Sequence, residues 1–347
     1  MTSDAVNVVR RRGVVGTTRA LGRRLRSHSP VVWRRSAAEH LGELQSLRDH
    51  LSALGVGPAG STLGGEQVER VLQPWVPPGH FYSPFPDLRE FAARADRLLS
   101  VDSQPAAIDL REDAQLELLD QLAEFLRDLP FPAERTDTFR YYCDNPAYGW
   151  GDGLILHAML RHVRPHRVVE TGSGYSSAMI LDTTEGWLDA GVELTFVEPH
   201  SELLRSLLRP GDEGRVRILE VGVQDVDPEV FAQLQADDVL FIDSTHVVKA
   251  GSDVNHLIFE VLPRLAVGVV VHIHDIFFPF EYPAPWVHEG RAWQETYLLR
   301  AFLMYNATFE IEWFQHLMWS RHRPVLEDRV PGIGRGVGGN IWLRKVA

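Results

Sequence analysis

Cysteine and long apolar runs are both scarce in this 347-residue chain, and each scarcity excludes a class of protein. A single cysteine, Cys143, excludes an internal disulfide and any zinc site built from cysteines alone. No apolar run approaches the roughly 18 to 20 residues that span a bilayer. The arginine-rich N-terminus also lacks the apolar segment of a secretory signal. The sequence therefore predicts a cytoplasmic protein without a membrane segment.

Positive charge is outnumbered, since the formal net charge is −12 at pH 7. Nucleic-acid phosphates must be met by cations, so this balance argues against a nucleic-acid partner. The exception is residues 8–35, which contain many arginines and no acidic residue. We interpret them as a basic surface segment, with a docking arm for RNA, a membrane surface or an acidic partner as the alternative.

Three regions follow one another along the chain. Residues 1–60 contain the basic segment and a predicted amphipathic helix over 37–54. Residues 61–150 read as helices separated by proline-rich turns, a helical cap in which Asp87 precedes Glu90 as a helix start. Residues 151–347 form the third region, in which apolar strands alternate with helices.

The third region predicts an α/β fold. Five apolar strands separated by helices are typical of a parallel sheet that is covered on both faces. Two further strands, "FEIEWFQHLMW" and "GGNIWLRKV", are joined by a Pro/Gly-rich connection without a predicted helix, so we expect them to pair as a hairpin. The result is a doubly wound, Rossmann-like sheet of seven strands with a C-terminal antiparallel hairpin. This pattern is typical of class I S-adenosylmethionine-dependent methyltransferases.

The stretch "HRVVETGSGYSS" carries a glycine loop between the first strand and its helix. A loop for a diphosphate needs a third glycine where Ser177 stands, and Glu170 would repel the anion. S-adenosylmethionine carries an ammonium and a sulfonium, so a carboxylate is favourable beside it. A nicotinamide cofactor is the alternative. The predicted cofactor contacts are Glu170, Gly172, Ser173 and Gly174, Glu198 after the second strand, and Gln224 and Asp225 after the third.

Carboxylates also follow the fourth and fifth strands, at Asp243 and Asp275. Neighbouring strand ends would bring them together, where they could hold Mg²⁺ and a substrate hydroxyl. His246 is the favoured general base because an imidazole titrates near neutral pH, and Lys249 is its competitor. A contact of Asp243 with the cofactor alone, without a metal, is the alternative.

Two more histidines lie on the fifth strand. His274 is next to Asp275 and is a candidate third metal ligand, and together with His246 it would suit Zn²⁺ or Fe²⁺. His272 is predicted to be a hydrogen-bonded core histidine.

The segments "FIDSTHVVKAGSD" and "LAVGVVVHIHDIF" resemble the methyltransferase group of the macrocin and mycinamicin O-methyltransferases and cephalosporin-hydroxylase-like enzymes. The resemblance implies Asp243 and Asp275 as metal ligands and His246 as general base. Asp253 matches an intervening acidic position, although it also stands where a helix cap is expected. The chain departs from the group at His274-Asp275, where the group has paired acids.

Two upstream segments, "GHFYSPFPDLRE" and "NPAYGWGDG", resemble the part of this group that lines the acceptor pocket. The expected function is O-methylation of a small-molecule hydroxyl with S-adenosylmethionine and a divalent metal. Metal-independent N-methylation, NAD(P)-dependent oxidation and a non-catalytic interaction role are the alternatives, and homo-oligomerisation is left open. The implied substrate contacts are His80, Tyr82, Tyr148 and Asp152.

Overall fold

Three helices precede the first strand of the sheet in the computed structural model, which describes residues 75–127 and 129–347. Helix α1 (Leu88–Leu98) begins at Asp87, whose carboxylate accepts hydrogen bonds from the backbone N–H groups of Arg89 and Glu90. This confirms the predicted helix start. Helix α2 (Glu112–Leu126) buries Leu119, Leu122 and Leu126, which recur at helical spacing. The helix predicted over 37–54 and the basic segment 8–35 lie outside the described residues.

The sheet has seven strands in the order β3-β2-β1-β4-β5-β7-β6. The first five are parallel, and β7 runs antiparallel to both β5 and β6. The strands are β1 (Arg167–Thr171), β2 (Glu193–Val197), β3 (Val216–Leu219), β4 (Val239–Ile242), β5 (Val270–His274), β6 (Phe309–Phe314) and β7 (Asn340–Lys345). The predicted sheet is therefore confirmed, and the chain reverses its direction of winding beside β1, where β4 lies.

Helices connect these strands and cover both faces. They are α3 (Trp150–Val163), α4 (Tyr175–Trp187), α5 (Glu202–Leu207), α6 (Glu229–Ala232), α7 (Asp253–His256), α8 (Ala284–His288), α9 (Glu295–Leu303) and α10 (Gln315–Arg329). A π-helical turn, Leu257–Val261, and a 3₁₀ turn, Leu262–Arg264, continue α7. Because successive strand residues point to opposite faces, Val168 packs in one apolar cluster and Val169 in the other. The central strands read as unbroken apolar runs because both of their faces are buried.

The C-terminal pairing is as predicted, but its connection is not. Strands β6 and β7 are antiparallel neighbours, yet α10 lies between them where the sequence analysis placed no helix. Strand β6 ends at Phe314, and Leu317 and Met318 of α10 are buried. The helix is kinked at His322, two residues before Pro324, whose ring cannot continue regular helix hydrogen bonding. That proline caused the helix to be read as an irregular connection.

Residues Val76–Ala347 form one compact unit. Leu119, Leu122 and Leu126 of α2 pack in the same apolar cluster as α3 and one face of the sheet. In the part of the chain that the structure describes, no helix has both the length and the apolar character needed to cross a membrane. The division at residues 60 and 150 stays a prediction.

Candidate active site

The glycine loop after β1 lies against the end of β4. Gly172 has a φ of +81°, and a Cβ there would stand 1.7 Å from the backbone oxygen of Asp243. Only glycine tolerates this backbone conformation and this close approach together. Gly174 precedes α4, and its N–H donates to Ser177 Oγ at 3.0 Å. The loop therefore presents bare backbone at the carboxyl end of the sheet.

Glu170 lies beneath this loop and is completely buried. Its Oε2 accepts a short hydrogen bond from Ser177 Oγ, whereas Oε1 has no hydrogen-bond partner among the described residues. Burial raises the pKa of Glu170 to about 8, although hydrogen bonds from Ser176 and Ser177 oppose the rise. The side chain thus supports the loop from below. Its predicted contact with a cationic cofactor stays a prediction.

Glu198 follows β2 and joins two loops. Its Oε2 accepts from the N–H of Ser173 at 3.0 Å, and Oε1 accepts from the N–H of His200 at 2.8 Å. Ser173 Oγ is buried and has no partner among the described residues. A carboxylate placed beside the glycine loop in this way is suited to accept ribose hydroxyls.

Gln224 and Asp225 form a 3₁₀ turn after β3 and are both exposed. Gln224 Nε2 donates to the backbone oxygen of Gly251 at 2.9 Å, so this turn borders the loop that follows β4. The structure therefore arranges the predicted cofactor residues around the carboxyl ends of β1, β2 and β3. Their individual roles stay predictions.

The second cluster forms where β4 and β5 end side by side. Asp243 directly follows β4, and Asp275 directly follows β5. His246 Nε2 lies 3.4 Å from Asp243 Oδ1 and 3.6 Å from Asp275 Oδ2, and ligand atoms of the three residues all lie within 4.8 Å of one another. Both His246 and Asp275 have positive φ, at +61° and +57°. Non-glycine residues rarely adopt that conformation, and such strain is concentrated at functional sites.

His274 also approaches the two carboxylates, although the group of ligand atoms that all lie within 4.8 Å of one another does not include it. Its Nδ1 is 3.2 Å from Asp243 Oδ1 and 3.7 Å from Asp275 Oδ1, and its Nε2 is 3.4 Å from Asp152 Oδ2. Asp152 comes from the first turn of α3 and accepts a hydrogen bond from Asn340 Nδ2 at 2.7 Å. Asn340 is paired with His274 across β5 and β7. Asp152, a predicted substrate residue, therefore contacts the histidine of the cluster.

Glu295, the first residue of α9, also belongs to the cluster, and the sequence analysis missed it. Its Oε2 lies 2.7 Å from His246 Nδ1, and the side chain is buried. The backbone N–H of Glu295 also donates to the backbone oxygen of His246. The Trp293 ring lies over the imidazole, with centroids 4.5 Å apart. Glu295 is 49 residues from His246, and its only local signal is an acid at a helix start.

The cluster alternates acids with imidazoles, and each shifts the pKa of its neighbours. Burial lowers the pKa of His246, but hydrogen bonds to Asp243 and Glu295 outweigh burial and raise it to about 10. His274 likewise has a pKa well above its usual range despite burial, because Asp275 and Asp243 are close. Burial would raise the pKa of Asp243, yet the two histidines hold it well below its usual range. Burial raises the pKa of Asp275.

The remaining predicted residues lie at varied positions. Tyr148 is buried, with its ring centroid 5.0 Å from that of His274. Lys249 is exposed on the loop after β4. Asp253 does not cap α7, because Ser252 does so, and the cap interpretation was wrong. Its carboxylate instead accepts from the N–H and hydroxyl of Thr245, which fixes the loop that carries His246.

His272 is fully buried and stacked on Phe241 at 4.0 Å. It is a core residue as predicted, but neither ring nitrogen has a hydrogen-bond partner among the described residues. Burial lowers its pKa well below the usual range.

His80 and Tyr82 belong to the turns before α1. His80 lines a cavity of about 580 Å³, and Tyr82 is 62% exposed. The cavity is bordered by residues between 79 and 98 and by Glu281, Val287 and Tyr297, so the residues of the Asp243–Asp275 cluster are not part of its lining. The substrate role of His80 and Tyr82 stays a prediction.

Comparisons with known proteins bear on both loops. Residues 169–276 match a family described as a methyltransferase domain, a span that includes Glu170 and Asp275. An uncharacterised protein of Archaeoglobus fulgidus is 33% identical over 177 residues, which are 49% of this chain and 79% of that protein. Two solved structures at 15% identity and TM-score 0.37 are the SAH-bound methyltransferase PaMTH1 of Podospora anserina and the O-methyltransferase TomG of Streptomyces achromogenes with SAM. They cover 79% and 74% of this chain and 100% and 96% of their own lengths.

Proposed function

We propose that the chain, whose residues 169–276 match a methyltransferase-domain family, is a class I S-adenosylmethionine-dependent enzyme that methylates a hydroxyl group of a small molecule with the help of a divalent cation. The observation that carries the proposal is the contact between the glycine loop and the acid–histidine cluster. Gly172 meets the backbone oxygen of Asp243 so closely that no side chain fits between them. A cofactor held by one loop would therefore lie beside the carboxylates of the other.

The glycine-loop residues fit S-adenosylmethionine. Glu170 offers an unpartnered buried oxygen, and Ser173 offers an unpartnered hydroxyl, each judged among the described residues. Glu198 is placed to accept ribose hydroxyls, and Gln224 and Asp225 border the side on which the adenine would lie. When bound, S-adenosylmethionine supplies a methyl group on a positively charged sulfur.

The acid–histidine cluster would prepare the acceptor. Carboxylate oxygens suit divalent cations, and Asp243 is held ionised by its neighbours. A cation between Asp243 and Asp275 would lower the pKa of a hydroxyl bound to it. His246 has a pKa of about 10 and so carries a proton at neutral pH, unless a cation on the same carboxylates lowers that pKa. The general-base role of His246, and that of the exposed Lys249, stay predictions.

Substitution of the two carboxylates tests the proposal. We expect Asp243→Asn and Asp275→Asn each to lower turnover about 100-fold or more, since each removes charge stabilisation at the reacting oxygen. S-adenosylmethionine binding should remain. Asp189→Asn is the matched control, because that side chain is 92% exposed. The assay measures S-adenosylhomocysteine release with a panel of hydroxylated and amino metabolites, with and without EDTA.

The outcomes separate the alternatives. Unchanged turnover in both aspartate variants would remove the cation-assisted mechanism. Turnover only with amines would favour N-methylation. Calorimetry that detects NAD but no S-adenosylmethionine would refute the methyltransferase function altogether.

A further inference from the structure

We infer that the centre between β4 and β5 takes a nitrogen-binding transition-metal ion of the Zn²⁺ or Fe²⁺ class, with His246 as the nitrogen ligand beside Asp243 and Asp275. Glu295 acts as a positioning residue that orients the imidazole of His246. This inference rests on the proposed function and deepens it, because it names the class of metal. It also assigns His246 Nε2 to the metal instead of to the substrate proton.

The spacing of the donor atoms supports a small coordination number. In a tetrahedral site with bonds of about 2.0 to 2.2 Å, neighbouring donor atoms lie about 3.4 Å apart. An octahedral Mg²⁺ with bonds of about 2.1 Å requires neighbouring donors only about 3.0 Å apart. His246 Nε2 lies 3.4 Å from Asp243 Oδ1 and 3.6 Å from Asp275 Oδ2. Two donor pairs therefore have the tetrahedral spacing, and ligand atoms of Asp243, His246 and Asp275 all lie within 4.8 Å of one another.

The imidazole of His246 has a carboxylate on its outer nitrogen. Glu295 Oε2 lies 2.7 Å from Nδ1 of His246, so Nδ1 carries a proton and Nε2 faces the two aspartates. Metal-binding histidines nearly always donate their other N–H to a carboxylate, carbonyl or water, which fixes the tautomer and the ring orientation. The buried Glu295 supplies this arrangement from a different element of the fold, α9.

His274 approaches the same carboxylates but does not repeat the arrangement, because its Nε2 has no hydrogen-bond partner among the described residues. Its Nδ1 approaches Asp243 at 3.2 Å, and its Nε2 faces Asp152 Oδ2 at 3.4 Å. Asp152 is itself fixed by Asn340, and a Cβ at Gly338 would stand 1.9 Å from its carboxylate. The glycine-rich connection before β7 therefore closes tightly around the outer carboxylate. An imidazole oriented by a carboxylate toward a pair of aspartates, as His246 is, is unneeded for Mg²⁺, which prefers oxygen ligands and retained water.

A higher affinity for Zn²⁺ than for Mg²⁺ does not identify the ligands, because most sites of this kind show that preference. Direct detection of nitrogen coordination is therefore the decisive measurement. The full chain would be treated with chelator and titrated separately with Zn²⁺ and Mg²⁺ by calorimetry. Mn²⁺-loaded samples would be examined by pulsed electron paramagnetic resonance for modulation by ligand nitrogen. The variants are His246→Gln, His274→Gln and Glu295→Gln, with His288→Gln as control because His288 is exposed on α8.

We expect nitrogen modulation in the wild type, in His288→Gln and in His274→Gln, and its loss in His246→Gln. Glu295→Gln should weaken Zn²⁺ binding about 10- to 100-fold, the usual effect of losing such a partner. A merely structural role for Glu295 would leave Zn²⁺ affinity unchanged while lowering thermal stability. If His246→Gln fails to fold, the wild-type nitrogen signal and Glu295→Gln decide the question.

Wild-type protein that binds Mn²⁺ without nitrogen modulation would overturn the inference. So would His246→Gln protein that keeps full Zn²⁺ affinity but loses turnover, since that result returns His246 to the base role. Both results leave the proposed function standing, because S-adenosylmethionine binding is measured on the same samples. Loss of that binding in the wild type would refute the proposed function instead.

Discussion

The substitution Glu170→Gln tests whether the buried carboxylate under the glycine loop serves the cofactor. Glutamine has the same shape and can keep the contact with Ser177, but it has no charge to offer a cationic ligand. Burial raises the pKa of Glu170 to about 8, so near neutral pH the protein without ligand holds this group largely protonated. A cationic cofactor at the unpartnered oxygen would bind better to the ionised form.

The magnitude follows from that pKa. If binding requires ionised Glu170, the apparent Kd rises as the ionised fraction falls, and it should be roughly 50-fold higher at pH 6 than at pH 8. The free energy of unfolding depends on pH in the opposite sense: affinity for the cofactor rises with pH, whereas the stability of the protein falls. Because the pKa of Glu170 is raised on folding, the protonated side chain contributes its full stabilisation below about pH 4.5. This contribution is lost as pH rises through about 8. The shift of the Glu170 pKa from 4.5 to about 8 corresponds to about 5 kcal/mol of stability. Glutamine does not ionise, so Glu170→Gln should be more stable than the wild type above pH 8.

The assay is calorimetric titration of S-adenosylmethionine from pH 6 to pH 9, with urea denaturation at each pH. The amino group of the cofactor also titrates in this range, but it does so equally in both proteins. The ratio of the two Kd values therefore isolates Glu170. We expect the ratio of the wild-type Kd to the variant Kd to rise toward pH 6. Equal Kd values at every pH would refute the reasoning and leave Glu170 as a support for the loop alone.

Two further substitutions test the backbone and the buried charges. Gly172→Ala should abolish cofactor binding and lower the free energy of unfolding, because its Cβ would overlap the backbone at the end of β4. Gly211→Ala is the control: Gly211 has a similar φ but open space around it, so the variant should lose only about 1 to 2 kcal/mol of stability. Thermal denaturation and calorimetry of both variants check this, and matching losses would contradict it. Arg140→Met removes the buried partner of Asp182 and Asp212, at 2.7 and 2.6 Å, and should cost about 3 to 5 kcal/mol at pH 7. The pKa of Asp212 is lowered beside Arg140, so urea denaturation at pH 3 should show a smaller cost, and a constant cost would contradict this origin.

The sheet could be predicted from the sequence because its signals are local. Runs such as "RVVETG" and "DVLFID" are apolar on both faces, and only a central parallel strand buries both. The approach of Asp243 to Asp275 follows from the same rule, since carboxyl ends of adjacent parallel strands meet at one edge. His246 could be placed near them because it is three residues away.

The outer carboxylates could not be found in this way. Glu295 reaches His246 through α9, and Asp152 reaches His274 through α3, so both contacts depend on how helices pack on the sheet. A lone acid in the first turn of a helix is ordinarily read as a favourable charge at the helix dipole. Helix α10 was missed for a different reason. Pro324 is a strong breaker locally, but the packing of Leu317 outweighs it in the fold.

The sheet itself sets the distance between the two loops. The backbone N–H of Asp243 donates to the oxygen of Thr171 at 2.9 Å, so the β1–β4 pairing continues one residue beyond the strand end. Neighbouring strands lie about 4.8 Å apart, and this spacing does not change with loop sequence. The glycine loop and Asp243 are therefore held in fixed register by main-chain hydrogen bonds. A methyl donor bound by the glycine loop would keep its position relative to Asp243 whatever the sequence of the surrounding loops.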